Sequence, residues 1–152
     1  MCGFVGFLGG YESKEGAEAL LQRMSDTISY RGPDDSGYWY DVGQRIGLGH
    51  RRLSILDLSS AGHQPMISPG GRYVIAFNGE VYNHQNLRDD LGGNSWRGHS
   101  DTETLLAGFD HWGIQGAVER TVGMFAFAVW DKRENTLFLG RDRVGEKPLY
   151  YG

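Results

Sequence analysis

The sequence predicts an α+β domain in which sheets stack face to face beneath outer helices. Three observations predict it. Gly123 to Trp130 alternates Phe125, Phe127 and Val129 with Met124, Ala126, Ala128 and Trp130, so this strand is apolar on both faces and needs cover on both. Two segments carry apolar residues at helical spacing: Ala17, Leu20, Leu21, Met24 and Ile28 in the first, Leu105, Leu106, Phe109 and Trp112 in the second. Glycine makes up 24 of the 152 residues, about twice its usual share of roughly 7%, and lies between apolar runs, which indicates tight turns and close backbone approaches.

Taken in order, Phe4 to Leu8 reads as a strand and Lys14 to Tyr30 as a helix capped by Ser13. Arg31 to Gly37 is dense in turn residues, and Tyr38–Val42 and Ile46–His50 are short strands around a turn at Gly43. Gly62-His63-Gln64-Pro65 ends a polar loop. Tyr73 to Phe77 is a strand expected to stop at Asn78-Gly79, and a short helix starts near Asn83 or His84. Ser100-Asp101-Thr102-Glu103 has the capping-box pattern ahead of the second amphipathic helix. Thr136 to Leu139 returns as the hairpin partner of the Gly123–Trp130 strand.

A chain of this length can bury a core as one domain. A net charge of −4 with no basic block argues against a nucleic-acid surface. No apolar run reaches membrane-spanning length, and no signal-peptide pattern opens the chain. The single cysteine cannot form an internal disulfide, so a cytoplasmic location is expected. The five histidines are scattered without ligand spacing, and no glycine-rich loop matches a nucleotide fingerprint; neither a metal nor a cofactor is expected in this domain.

That cysteine, Cys2, is either a small buried hydrophobe or a nucleophile. Once Met1 is removed it carries a free α-amine, whose ordinary pKa of about 7.7–8.0 leaves on the order of a tenth neutral at pH 7 and able to act as a base. With Met1 attached, the nitrogen is an amide of no useful basicity. Asn78-Gly79 is either a hairpin turn or an oxyanion hole built from the Asn78 side-chain amide and the Gly79 N–H. Arg52 and Asp101 are either a solvated strand-end cation and a first-turn helix carboxylate or a pair suited to the two charges of a free amino acid.

Several short segments, in this order, match a known pattern: Met1-Cys2-Gly3, Arg31-Gly32-Pro33-Asp34, His50-Arg51-Arg52-Leu53-Ser54-Ile55, Gln64-Pro65-Met66 and Asn78-Gly79-Glu80-Val81-Tyr82-Asn83. Ser100-Asp101-Thr102-Glu103, Gly123-Met124-Phe125, Gly140-Arg141-Asp142 and Lys147-Pro148-Leu149-Tyr150-Tyr151 continue it. Over nearly its whole length the chain resembles the N-terminal glutaminase domain of the glutamine-hydrolysing asparagine synthetase family, the class II amidotransferases.

The resemblance implies an N-terminal-nucleophile (Ntn) hydrolase-like fold, a four-layer α-β-β-α sandwich of mostly antiparallel sheets. It implies Cys2 as nucleophile, Asn78 and Gly79 as oxyanion hole, and Arg52, Ile55, Glu80 and Asp101 as further contacts to L-glutamine. Arg31 would shape the loop beside the thiol. Residues 1–152 would form the glutaminase domain, cut short at its C-terminus. Ammonia would pass to a C-terminal synthetase domain holding ATP and Mg, whose Ser-Gly-Gly-x-Asp-Ser loop is not in this chain. Neither nucleic acid nor membrane is an expected partner, and a homodimer is compatible with the resemblance.

Overall fold

The apolar run behind Cys2 becomes strand β1 (Gly3–Leu8). It pairs antiparallel with β3 (Ile46–Arg52), whose other edge takes β2 (Asp35–Asp41), so the first sheet has the order β1-β3-β2. These features belong to a computed structural model that describes residues 2–10, 13–53, 60–93 and 95–152. The second sheet has the order β4-β5-β6-β7: Met66–Ile67, Tyr73–Val81, Gly123–Asp131 and Thr136–Arg141, all antiparallel. The helices are α1 (Lys14–Asp26), α2 (His84–Leu91) and α3 (Asp101–Arg120). The fold is therefore α+β with antiparallel sheets.

The period of two decides what each strand residue touches. On β5, Tyr73, Ile75, Phe77 and Val81 join Leu105, Leu106 and Phe109 of α3 in one core, together with Phe125, Phe127 and Val129 of β6. The alternate residues Val74 and Ala76, with Ala128 and Trp130, pack instead against Ile46 and Leu48 of β3. β6 is thus covered on both faces, as its sequence requires. Each fully buried Leu or Phe contributes roughly 1.5–3 kcal/mol against leaving it in water. α1 covers the other face of the first sheet: Leu21 and Ser25 lie over Gly47 and Gly49 of β3.

Local sequence and tertiary contact disagree in four places. Helix α1 ends at Asp26, not Tyr30. The Ser25 carbonyl is taken by Arg51 Nε at 3.3 Å and by the Ile28 N–H at 3.1 Å, and the chain tightens into a 3-10 turn over Ser29–Arg31. β5 does not stop at Phe77 but runs through Asn78-Gly79 to Val81, because Gly123 to Ala126 pairs in register with Asn78 to Val81 and extends the ladder to nine residues. β2 begins earlier and β3 ends later than the strand signal, and their added pairs Asp35↔Arg52 and Ser36↔Arg51 carry the sheet to the site. At the start of α3, Ser100 Oγ accepts from the Thr102 N–H at 3.2 Å, while the buried Glu103 carboxylate binds the N–H groups of Arg97 and Gly98 at 2.8 and 3.1 Å. The capping-box residues start the helix, but Glu103 organises the preceding loop.

Candidate active site

The same alternation gathers the expected site residues. Odd-numbered residues at the end of the first sheet turn toward α1: a side chain at Gly3 would meet Ile28 and Arg31, and Arg51 pairs with Asp26. Cys2, His50 and Arg52 therefore turn toward the second sheet. On β5 the face that carries Val74 and Ala76 into the inter-sheet core continues as Asn78 and Glu80. Cys2, Arg52, Asn78, Gly79, Glu80 and Asp101 line one cavity of about 140 Å³, together with Gln64, Thr102, Met124 and Lys147. Ile55, the remaining residue expected here, lies outside the described residues.

Cys2 is held at both ends. Its carbonyl accepts from Arg31 Nε at 3.1 Å, and its sulfur receives the Leu53 N–H at 3.4 Å. The same sulfur lies 3.6 Å from the Leu53 carbonyl oxygen, so both polar groups of the Leu53 backbone face the thiol. The turn-rich loop places Arg31 for this contact because the Asp34 N–H binds the Arg52 carbonyl at 3.0 Å, tying the loop to the end of β3.

β5 presents an edge of N–H groups to the cavity. The Tyr82 N–H donates to Val122 O at 2.8 Å, which fixes even-numbered amides toward β6 and odd-numbered ones away from it. β4 covers that outer edge only as far as Ile75. Beyond it, the Phe77 N–H donates to Gln64 Oε1 at 2.7 Å, and the Val81 N–H to Asp101 Oδ2 at 2.8 Å. Gly79 lies between them, and its N–H has no acceptor among the described residues. Asn78 is buried at 6% exposure, and its side-chain amide likewise binds no described protein group. A pair of unclaimed donors beside a thiol is what a developing oxyanion requires. Gly79 is glycine for a steric reason: a Cβ there would lie 2.3 Å from the Met124 carbonyl oxygen.

The charged groups stand at the cavity wall. Arg52 is 8% exposed, and a Cβ on Gly62 would come within 2.1 Å of its Nη2, so the bare Gly62 backbone makes room for the guanidinium. Asp101 is buried, which pushes its carboxyl above the ordinary range, while the N–H groups of Val81 and Thr102 pull the other way. Lys147 reaches the wall through Asp142. The Asp142 carboxylate accepts from Phe125, Val144, Glu146 and Lys147 N–H groups at 2.9–3.2 Å. Burial raises its pKa, but these donors outweigh it and hold the group down at about 2.

Sequence reasoning singled out Cys2, Arg52, Asn78, Gly79, Glu80 and Asp101, and the fold brings them together. It assigned nothing to Gln64 or His50. His50 is fully buried between the sheets, with Nε2 2.9 Å from the Phe77 carbonyl oxygen. Burial, with Arg52 nearby, lowers its pKa to about 4, against the raising effect of that hydrogen bond. It is neutral at physiological pH and donates from Nε2. Both residues belong to the short segments that carry the family resemblance, but their partners are on other strands and no local pattern announces them.

Comparison with known proteins agrees with this geometry. The model of the glutamine amidotransferase domain family matches residues 1–152. The chain is 43% identical over 153 residues to "Asparagine synthetase [glutamine-hydrolyzing] 2" of Bacillus subtilis (strain 168), covering 99% of this chain and 20% of that protein. It is 43% identical over 155 residues to "Asparagine synthetase [glutamine-hydrolyzing] 1" of the same strain, covering 99% of this chain and 24% of the relative. It is also 39% identical over 132 residues to "Amidase chry2" of Gibberella zeae, covering 86% of this chain and 20% of that protein. The chain thus spans about a fifth to a quarter of the length of these curated relatives. The match over the whole chain places it in the glutamine amidotransferase domain family.

Proposed function

We propose that this chain hydrolyses the side-chain amide of L-glutamine to glutamate and ammonia through a thioester on Cys2. The observation that carries the reading is the unclaimed Gly79 N–H, facing the Cys2 cavity between two amides that protein side chains already occupy. After removal of Met1, the Cys2 α-amine takes the thiol proton. The sulfur attacks the amide carbon, and the oxyanion is held by the Asn78 side-chain amide and the Gly79 N–H. The C–N bond breaks, and the leaving nitrogen takes the proton from the terminal ammonium and departs as ammonia. Water then adds to the thioester, releasing glutamate and restoring the thiol. Arg52 pairs with the substrate's α-carboxylate, and Asp101 with Glu80 receives its α-ammonium, the Ile55 backbone contributing beside them.

The sequence of α1, first sheet, second sheet, then α2 and α3 supports reading the fold as the four-layer Ntn-hydrolase sandwich. The relatives' names support a further step, in which the ammonia serves an ATP-dependent synthetase domain of the asparagine synthetase kind. That partner domain would supply ATP and Mg sites, and residues 1–152 would be the glutaminase part alone. Among the described residues, no helix is long and apolar enough to cross a membrane.

Ammonia release from L-glutamine and from glutamine blocked at both its amine and its carboxylate tests the assignment. Fast release from the first alone is expected, with a glutamyl adduct on Cys2 by mass spectrometry. Equal rates would make the chain a general amidase. Binding of glutamine with no release by a processed protein would make it a non-catalytic module of the same fold.

A further inference from the structure

We infer that Gln64 and His50 are positioning residues for the oxyanion hole, together clasping the peptide groups of Phe77 that lead into Asn78; this rests on the glutaminase reading above.

β5 outruns its neighbour. β4 is two residues long and pairs only with Val74 and Ile75, so from Ala76 onward the outer edge of β5 has no strand beside it. An edge without a partner is free to twist and breathe. Here side chains replace the missing strand. The Gln64 Oε1 accepts the Phe77 N–H at 2.7 Å, and the Gln64 Nε2 is tied to Thr102 Oγ1 at 3.4 Å. His50 reaches across from β3 and donates to the Phe77 carbonyl at 2.9 Å. Both polar groups of one residue's backbone are held by side chains from two other segments, and both side chains are buried.

The clasp acts on the chain that carries the donors. The Phe77 carbonyl shares its rigid peptide plane with the Asn78 nitrogen. Fixing that plane leaves only the Asn78 dihedrals between it and the plane that carries the Gly79 N–H. Oxyanion donors must be aimed within a few tenths of an ångström before charge develops, or the reorganisation is charged to the barrier. His50 suits the task because it is neutral and its proton is committed to Nε2. Its Nδ1 is buried without a partner, an arrangement that a merely structural position would exchange for an apolar side chain.

The test compares Gln64→Met, His50→Leu and His50→Gln with the parent in the full-length protein with Met1 removed. Gln64→Met keeps length and removes the acceptor; His50→Gln keeps a donor at the same number of bonds from the backbone. Two rates are read: kcat for glutamine hydrolysis, and alkylation of Cys2 by iodoacetamide, a displacement that builds no oxyanion. Gln64→Met and His50→Leu are expected to lower kcat on the order of 10- to 100-fold, with KM and the alkylation rate within about threefold of the parent. His50→Gln is expected to recover most of kcat. If kcat is unchanged in both Gln64→Met and His50→Leu, or if the alkylation rate falls in step with kcat, the inference is overturned. Should His50→Leu fail to fold, Gln64→Met decides alone. A parent that alkylates normally yet releases no ammonia from glutamine would instead remove the glutaminase reading, and the inference with it.

Discussion

Arg31 donates from Nε to the carbonyl oxygen of Cys2 at 3.1 Å, while Leu53 holds the sulfur of the same residue. The residue next to the chain terminus is thereby fixed by its backbone as well as its side chain. Terminal residues fray unless tied down. Arg31 is the tie, supplied by a loop whose sequence is dense in turn residues.

Arg31→Ala is therefore expected to loosen the thiol without unfolding the domain. A hydrogen bond from a charged donor is worth about 1.5–3 kcal/mol, so kcat for glutamine should fall about 10- to 100-fold. The glutamine Kd should move little, since Arg31 does not line the cavity. Pre-steady-state formation of the Cys2 adduct measures the effect directly. A Kd shift as large as the kcat loss would show that Arg31 holds substrate instead.

Retention of Met1 should separate binding from chemistry. The cavity is formed by Cys2, Arg52, the Asn78–Glu80 segment and Asp101. Protein whose start methionine is blocked from removal is expected to bind glutamine with little change while ammonia release drops by at least about 100-fold, the scale of losing a general base. Intact mass fixes the processing state, and calorimetry with a coupled ammonia assay reads the two outcomes. Equal turnover by both forms would remove the α-amine from the mechanism.

Gly79→Ala tests the strand that carries the donor. The added carbon would lie 2.3 Å from Met124 O and 2.6 Å from the Phe125 Cα, both on β6, whose backbone cannot yield cheaply. β5 must shift, at a cost of about 1–3 kcal/mol in stability. The donor moves with it, and kcat is expected to fall on the order of 100- to 1,000-fold. Chemical denaturation and steady-state assays read both effects, and intact kcat in a destabilised variant would place the oxyanion elsewhere.

His50 gives the fold an acid sensitivity of defined sign. Its folded pKa of about 4 lies below the ordinary 6.5, so the unfolded chain binds more protons between those values. Its contribution is complete above pH 6.5 and is lost as pH falls toward 4, to a total of about 3 kcal/mol. Asp142, held down at about 2, adds a loss of the same sign, confined to more acidic solution below its ordinary 3.8. The slope of unfolding free energy against pH between 6.5 and 4 should be shallower in His50→Gln than in the parent. Parallel slopes would mean that His50 titrates alike in both states.

What the sequence discloses depends on how local the signal is. The double-sided alternation of Gly123–Trp130 and the Ser100 cap are local, and both elements form where they are read. The cut between Phe77 and Asn78 is misread, because Asn-Gly favours a turn in isolation, and only pairing with Gly123–Ala126 keeps the strand extended. β4 is too short to show any period. At the site, the chemistry-bearing types are legible because thiol, amide, guanidinium and carboxylate have few uses. Gln64 and His50 are not, since a glutamine ahead of a proline and a histidine in a strand look like ordinary residues until the segment they grip is known.

The alternation along β5 has a consequence for how this chain tolerates change in length. Each amide on the open edge repeats every two residues, roughly 6.8 Å. Removing or adding one residue between Tyr73 and Gly79 would exchange the two edges at every later position. The cavity would then receive the N–H groups of Asn78 and Glu80, and the side chains of those residues would turn into the helix-side core. Insertions in the exposed turn over 132–135 touch none of this. The site is thus written in counting as much as in chemistry: a one-residue indel in β5 is expected to cost more function than any single substitution there, while the neighbouring hairpin turn accepts the same indel.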